Sequence, residues 1–120
     1  MKTSELTGLA LDWAVATCEG GTGLWHDTVA TYWVKLDGKD RALSKGWAQS
    51  YLPSSDWAQG GPIIEREIIE ITRGGAYTEH FWKAKRNSTI NYGPTPLIAA
   101  MRCYVARKLG DTVEIPKELS

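Results

Sequence analysis

The chain has 120 residues, and its formal net charge is zero because 14 Lys and Arg residues balance 14 Asp and Glu residues. This length supports one hydrophobic core but not two, so we expect a single domain over residues 1–120. The even charge argues against nucleic acid as a partner, because nucleic-acid binders usually carry a basic stripe, but it does not argue against a small anionic ligand. No apolar run is long enough to span a membrane, and the first residues, MKTSELTG, lack the apolar core of a secretory signal. We therefore expect a protein of the cytoplasm with no membrane partner.

The cysteines and the aromatic residues suggest different roles. Cys18 and Cys103 lie in predicted helices without the spacing of metal ligands. We therefore expect two reduced, buried thiols, with neither a metal site nor a cofactor. The six Trp and five Tyr residues are many for so short a chain. Such large planar side chains fill cores, but they also serve binding surfaces.

The first predicted element is a helix over Glu5–Cys18. Thr3 or Ser4 can cap its N-terminus, and Gly20 and Gly21 end it. Apolar residues cover most of its circumference, which is typical of a buried helix. The glycine-rich run that follows has no Lys at the spacing of a phosphate loop, so a helix stop explains it better than a nucleotide site.

A hairpin follows the first helix. Thr28–Leu36 is rich in β-branched and aromatic residues and predicts a strand. Asp37-Gly38 is typical of a two-residue turn with positive φ at both positions. Arg41–Leu52 is predicted to return as a less regular strand anchored by Trp47 and Tyr51.

The middle of the chain is predicted to be a loop followed by a second pair of strands. Within Pro53–Ile71, the residues Pro62–Arg66 can form one helical turn, and Ile68–Thr72 a strand. After a diglycine turn, Thr78–Lys85 predicts the partner strand, and Asn87–Tyr92 predicts a loop.

The last predicted helix has clear signals at both ends. Thr95 can cap it, Pro96 suits its first position, and Gly110 ends it. The side opposite its apolar stripe carries small residues in place of charges, which predicts a close contact with a neighbouring helix or with another subunit. We expect a homo-oligomer, a dimer or a tetramer, on this basis. The small residues are Ala99, Cys103 and Ala106.

Helices at both ends of the chain, with strand signals between them, predict the fold class. We expect an α+β domain with a small antiparallel sheet. The buried N-terminal helix and the C-terminal helix are expected to pack on this sheet.

The stretch Pro53–Ile71 combines an aromatic plane, an amide, paired glycines and an arginine, which is typical of a binding site. Trp57 can stack on a base, and glycine backbone N–H groups can approach a phosphate. Arg66 and Arg102 can pair with phosphate, and Glu65 can accept hydrogen bonds from ribose hydroxyls. The alternative is a scaffold, with Trp57 in the core and Arg66 in a structural ion pair. The candidate ligand-binding residues are Trp57, Gln59, Gly60, Gly61, Glu65, Arg66, Thr95 and Arg102.

Two blocks carry a resemblance to known sequences, namely WAQGGPIIERE at residues 57–67 and GPTPLIAAMR at residues 93–102. The ends are similar too, through LDWAVA at 11–16 and KLGD at 108–111. These segments resemble the NinX-type proteins, a family of small uncharacterised proteins from tailed phages and prophages. The resemblance covers about half the chain. It implies a phage or prophage origin and a bacterial host cytoplasm, but it implies no activity.

Three function classes are open. The first is a non-catalytic binder of a small anionic, nucleotide-derived ligand, which a phage could use in counter-defence to sequester a host defence signal. The second is an adaptor that docks on a host or phage protein, and the third is a small hydrolase acting on a nucleotide signal. Catalysis is disfavoured because His26 and His80 are isolated and no nucleophile–base set is evident, so we name no catalytic residue. A concave pocket lined by Trp57, Arg66 and Arg102 would favour a binder, and dispersed positions would favour an adaptor.

Overall fold

The computed structural model describes residues 1–27, 31–74 and 82–119. Parts of two predicted strands, residues 28–30 and 78–81, lie outside these ranges, as does His80. The helices within the described ranges are α1 (Gly8–Cys18), α2 (Trp57–Glu67) and α3 (Pro96–Leu109). The strands there are β1 (Thr22–His26), β2 (Tyr32–Leu36), β3 (Lys39–Ala42), β4 (Glu70–Arg73), β5 (Trp82–Arg86) and β6 (Thr89–Gly93).

The fold class is α+β, as predicted, with two small antiparallel sheets where one was expected. The first sheet has the strand order β1-β2-β3, and the second has the order β4-β5-β6. Helix α3 packs on the second sheet and contacts both α1 and α2. Met101 and Val105 of α3 and Val15 of α1 are fully buried. The C-terminal helix is therefore the centre of the core, and α1 and the second sheet cover it.

Helix α1 begins three residues later than predicted, because the N-terminal residues pair with the other end of the chain. The Thr3 hydroxyl donates to the Gly110 carbonyl at 2.6 Å, and the Thr3 amide donates to Asp111 O at 2.8 Å. Thr3–Glu5 forms a short 3-10 helix, and Leu6 is extended. Thr7 is the N-terminal flanking residue of α1, without a side-chain cap. The predicted cap at Thr3 or Ser4 is therefore wrong.

The first hairpin is confirmed, but its strands differ from the prediction. Asp37 and Gly38 have φ of 54° and 75°, which is the two-residue turn that their sequence favours. Strand β1, which was not predicted, pairs with β2. From the sequence, Gly20 and Gly21 predict only the end of the first helix. On the other side β3 ends at Ala42, and the remainder of the predicted return strand is irregular.

The predicted loop before Pro62 is instead the first half of helix α2. Asp56 caps this helix, since its Oδ1 accepts from the Ala58 amide at 3.0 Å. Gly60 serves close packing: a Cβ there would lie 2.3 Å from Pro53 O and 2.6 Å from Leu97 Cδ2. The glycine therefore lets α2 approach its neighbours, and it does not present a free backbone to a ligand.

The predicted loop over Asn87–Tyr92 is wrong, because Thr89–Gly93 is strand β6. The turn before it contains Asn87, whose φ is 54°. Gly93 allows the strand to pack closely against α3, since a Cβ at this position would lie only 2.7 Å from Ala99 N. Contact with α3 therefore supports a strand that its local sequence did not indicate.

Both ends of α3 are confirmed. Thr95 Oγ1 accepts from the Ile98 amide at 3.1 Å, Pro96 is the first helical residue, and Gly110 follows the last turn. The face with small residues is buried within the chain, since Ala99 and Cys103 are 0% exposed. Cys103 Sγ also donates to Thr89 O of β6 at 3.6 Å. This face is therefore not a subunit interface, and the expected homo-oligomer loses its stated basis.

Candidate functional site

The main cavity of the described residues is a cleft of about 600 Å³ where the first hairpin meets all three helices. The end of α1 and the hairpin form one side, and the face of α2 with the last turns of α3 forms the other. This volume lies within the range typical of small-molecule sites. The cleft is lined by Cys18, Glu19, Leu36, Asp37, Arg41, Tyr51, Gln59, Pro62, Ile63, Arg66, Glu67, Tyr104 and Lys108.

Arg66 connects three elements within this cleft. Its two terminal nitrogens donate to the two carboxylate oxygens of Glu19 at 2.9 and 2.7 Å, in a bidentate pair. Its Nε donates to Glu67 at 2.9 Å. The guanidinium also lies 5.7 Å from the ring centroid of Tyr104 and 3.1 Å from its hydroxyl. Arg66 was predicted either to bind phosphate or to form a structural ion pair, and in the structure it forms ion pairs with Glu19 and Glu67.

The Tyr104 hydroxyl donates to Glu19, so the carboxylate receives bonds from two elements. Burial raises the pKa of Glu19, but the hydrogen bonds from Arg66 and Tyr104 outweigh burial and hold that pKa below its ordinary value. Burial and then the bond to Glu19 raise the pKa of Tyr104. Burial and then the charge of Glu19 raise the pKa of the Cys18 thiol to about 12. At neutral pH the Glu19 carboxylate is therefore ionised, and the Cys18 thiol and the Tyr104 phenol are protonated.

Arg41 and Tyr51 form the opposite wall of the cleft. The Arg41 guanidinium lies 5.1 Å from the Tyr51 ring centroid. Its nitrogens donate to Gln49 O at 3.0 Å and to Ser50 O at 3.1 Å. Burial raises the pKa of Tyr51 above its ordinary value. The cleft therefore has two arginine–tyrosine pairs, Arg41–Tyr51 and Arg66–Tyr104.

Gln59 is the second predicted site residue that lies in the cleft. Its Nε2 donates to Ser50 O at 2.7 Å, and its Oε1 accepts from the Leu52 amide. Both ends of its amide therefore hold the segment that follows the first sheet. These hydrogen bonds connect α2 to the same segment whose carbonyls accept from Arg41.

Trp57 and Thr95 lie together in a different place. They line a shallow pocket of about 240 Å³ beside the first turn of α3, with Ser54 and Pro96 among its other residues. The Trp57 side chain is 54% exposed, so it is not a core residue. The Thr95 hydroxyl is used as the helix cap. An aromatic plane is thus available here, but it is not in the cleft of Arg66.

The other predicted site residues have structural or solvent-exposed positions. Arg102 is 7% exposed, and it donates from Nε to Leu6 O at 2.7 Å and from Nη1 to Tyr92 O at 2.9 Å. Burial lowers its pKa. Gly60 and Gly61 are inside α2, and Glu65 is exposed outside the cleft lining. The eight candidates therefore do not converge on one pocket.

Eleven of the thirteen residues that line the cleft were missing from the sequence-based set, among them Glu19, Arg41, Tyr51 and Tyr104. Glu19 and Arg66 are 47 positions apart, and Glu19 and Tyr104 are 85 apart. Only the tertiary fold brings these residues together. Tyr51 was predicted as an anchor of the return strand, and nothing in the local sequence distinguishes Arg41.

A second aromatic surface lies on the first sheet. The rings of Trp25 and Trp33 stack with centroids 5.6 Å apart, and Trp47 meets Trp33 edge-on at 4.9 Å. The Trp33 indole N–H donates to Asp27 at 3.0 Å. Trp25 and Trp47 are 45% and 39% exposed. This Trp25–Trp33–Trp47 cluster covers one side of the sheet and leaves two indoles in contact with solvent.

The family model for bacteriophage P22 NinX matches residues 2–108 of the chain. The chain belongs to this family. The predicted resemblance is thereby confirmed, and it extends over segments that the two quoted blocks did not include. No curated protein matches the chain. The residues that line the cleft, from Cys18 to Lys108, all fall within the match to the NinX model.

The described residues contain neither a candidate metal cluster nor a candidate membrane-spanning helix. No group of three or more His, Cys, Asp and Glu side chains there is arranged to hold a metal ion. None of the described helices has the length and apolar character to cross a membrane. His26, one of the two histidines considered for catalysis, is exposed, and its Nδ1 lies 3.2 Å from Asp27 O.

Proposed function

We propose that this phage-family protein binds a small anionic, nucleotide-derived ligand in the cleft around Arg66 and does not convert it. The observation that carries the proposal is the cleft of about 600 Å³ into which three cations from three elements, Arg41, Arg66 and Lys108, converge. Arginine is well suited to phosphate because its planar guanidinium donates two parallel hydrogen bonds. The volume matches a ligand of nucleotide size.

The cleft also offers groups that suit the neutral parts of a nucleotide. Asp37 and Glu67 supply carboxylates that can accept from ribose hydroxyls. The Tyr51 and Tyr104 rings are 6% and 1% exposed, so they support the guanidinium groups of Arg41 and Arg66 and offer no open face to a base.

The pKa values of the cleft support binding without conversion. A general base or nucleophile works best with a pKa near the operating pH. The Cys18 thiol, with a pKa of about 12, is not a ready nucleophile, and the pKa of each tyrosine is raised. The pKa of Glu19 is lowered while it is paired with Arg66. These four groups are displaced from the range that acid–base catalysis uses.

Sequestration gives such a binder a use in an infected bacterium. A protein that binds a nucleotide signal stoichiometrically lowers its free concentration without any reaction. By analogy with the needs of a phage, we propose that the protein acts in this way in the host cytoplasm.

Mass spectrometry of small molecules released from the purified protein tests the proposal. The protein is expressed in bacteria with an active nucleotide-signalling defence, denatured, and compared with an Arg66→Ala variant. We expect a nucleotide to be released by the wild-type protein and about ten- to a hundred-fold less by the variant. Arg107→Ala is the matched control, because Arg107 is exposed and outside the cleft. A chemically altered nucleotide after incubation would show an enzyme instead.

A second candidate function, a protein adaptor, is favoured by the dispersed positions of Trp57, Arg66 and Arg102. Trp57 and the Trp25–Trp33–Trp47 cluster expose large aromatic side chains, and aromatic residues are enriched at protein interfaces. Co-purification of one host protein that is lost with Trp57→Ala or Trp25→Ala, with no released nucleotide, would favour this function over the first.

A further inference from the structure

Glu19 is a carboxylate at a position where its own helix does not stabilise it. It is the C-terminal flanking residue of α1, whose terminal carbonyls create a negative potential. Its side chain is nevertheless only 19% exposed. The bonds that hold it there come from Arg66 of α2 and Tyr104 of α3. Its place is therefore determined by the donors of the cleft.

The Glu19 carboxylate occupies these donors as an anionic ligand would. Both terminal nitrogens of Arg66 point to its two oxygens, which is the geometry by which arginine binds carboxylate and phosphate groups. The Tyr104 hydroxyl supplies a third donor to the same group. A ligand phosphate that uses Arg66 in a bidentate manner must take the position of this carboxylate.

Exchange requires only a side-chain rotation. The Glu19 amide donates to Val15 O at 3.0 Å and to Ala16 O at 3.1 Å, so its backbone is fixed by α1. The Arg66 side chain is 51% exposed, so solvent and ligand have access to the pair. Glu67 remains on Nε of Arg66 and keeps the guanidinium in place.

The net charge of the cleft becomes positive when the Glu19 side chain rotates out of it. With Glu19 in place, Arg41, Arg66 and Lys108 are balanced by three carboxylates, those of Glu19, Asp37 and Glu67. With Glu19 rotated out, three cations face two carboxylates. The cleft then favours an anion, and the more highly charged of two anions competes better against a single carboxylate.

We infer that Glu19 is an internal competitor that occupies the anion-binding donors of the cleft until a phosphate monoester displaces it. The inference rests on the proposed function and adds to it a ligand class and a residue that lowers the affinity of the same site. A dianionic monoester gains more from Arg66 and Tyr104 than the carboxylate that it replaces. A monoanionic diester does not have this advantage.

Calorimetric titration of wild type, Glu19→Gln and Glu65→Gln tests the inference. The probes are adenosine monophosphate, a dianionic monoester, and cyclic adenosine monophosphate, a monoanionic diester. We expect wild type to bind the monoester more tightly than the diester. Glu19→Gln should bind both about tenfold tighter, because both must displace the same carboxylate. Glu65→Gln, which removes the same charge from an exposed position of α2 outside the cleft, should change affinity by less than about threefold.

The possible failures are distinguishable. If wild type binds a probe and Glu19→Gln binds it equally or more weakly, the inference is overturned and the proposed function stands. If neither wild type nor Glu19→Gln binds either probe, both are rejected. Glu19→Ala, which removes the competing group entirely, should bind at least as tightly as Glu19→Gln. Thermal unfolding of each variant shows whether a loss of binding comes from a loss of fold.

Discussion

Arg66 and Arg102 looked alike in the sequence, yet the fold uses them in opposite ways. Arg66 lies half exposed in the cleft and is paired with carboxylates of two side chains. Arg102 is buried beneath β6 and the N-terminal segment and is bonded to two backbone carbonyls. A carboxylate can be exchanged for a ligand anion, whereas the carbonyls of Leu6 and Tyr92 are fixed parts of the fold. The comparison shows that binding capacity depends on whether an arginine's partners can leave.

The largest expected effect comes from replacing Arg102. Arg102→Met removes the bonds to Leu6 O and Tyr92 O, and the loss of the donor to the buried Leu6 carbonyl alone costs about 1–3 kcal/mol. We expect the free energy of unfolding to fall by about 3 kcal/mol or more, measured by urea denaturation. Arg66→Met should cost about 1 kcal/mol or less, because solvent screens its half-exposed pairs. Equal losses for the two variants would mean that the Arg66 pairs are structural as well.

The sequence predicted features whose causes are local. The ends of α3 follow from Thr95, Pro96 and Gly110, and the first turn follows from Asp37-Gly38. These residues determine backbone geometry through their own side chains or their own φ. The α+β class and the burial of both terminal helices followed from apolar patterns in the same way.

Features that depend on distant contacts were not predictable. The cleft exists because Glu19, Arg66 and Tyr104 meet across the fold, and no spacing in the sequence indicates that meeting. The first half of helix α2 was missed because paired glycines normally favour loops, and only the contact with Pro53 and Leu97 explains the glycine at Gly60.

A second prediction concerns Asp12, a buried carboxylate without a cationic partner in its hydrogen bonds. It is 2% exposed and accepts from the Ser54 amide at 2.8 Å. Burial raises its pKa from 3.8 to about 6, against the lowering effect of the bonds from Ser54. The folded chain therefore binds this proton more tightly than the unfolded chain. The stability that results is fully present below pH 4 and is lost as the pH rises to about 6.

The variant Asp12→Asn isolates this effect, because it keeps an acceptor for Ser54 but does not titrate. We expect the stability of the variant relative to wild type to increase by about 3 kcal/mol between pH 4 and pH 7. Urea denaturation at several pH values measures the difference. A difference that stays constant over this range would contradict the raised pKa. Glu67→Gln, which removes a carboxylate of the cleft, is measured in the same way for comparison.

The smallest expected effects concern the paired glycines of α2, the helix that carries Arg66. Gly60→Ala places a methyl group against Pro53 O at 2.3 Å, and backbone cannot move aside as a side chain can. We expect a loss of about 2 kcal/mol, typical of overpacking. Gly61→Ala is the matched control, because its Cβ would meet only Trp57 at an ordinary 3.9 Å. This neighbouring substitution should be neutral or stabilise the helix by up to about 1 kcal/mol.

The same two variants separate scaffold from site in α2. If Gly60 acts only in packing, Gly60→Ala should lower the melting temperature. At low temperature, where the variant is still folded, it should bind nucleotide with reduced affinity, because Arg66 and Gln59 shift with the helix. Gly61→Ala should leave both properties unchanged. Loss of binding in Gly61→Ala without loss of stability would show that this glycine approaches the ligand directly, as its sequence first suggested.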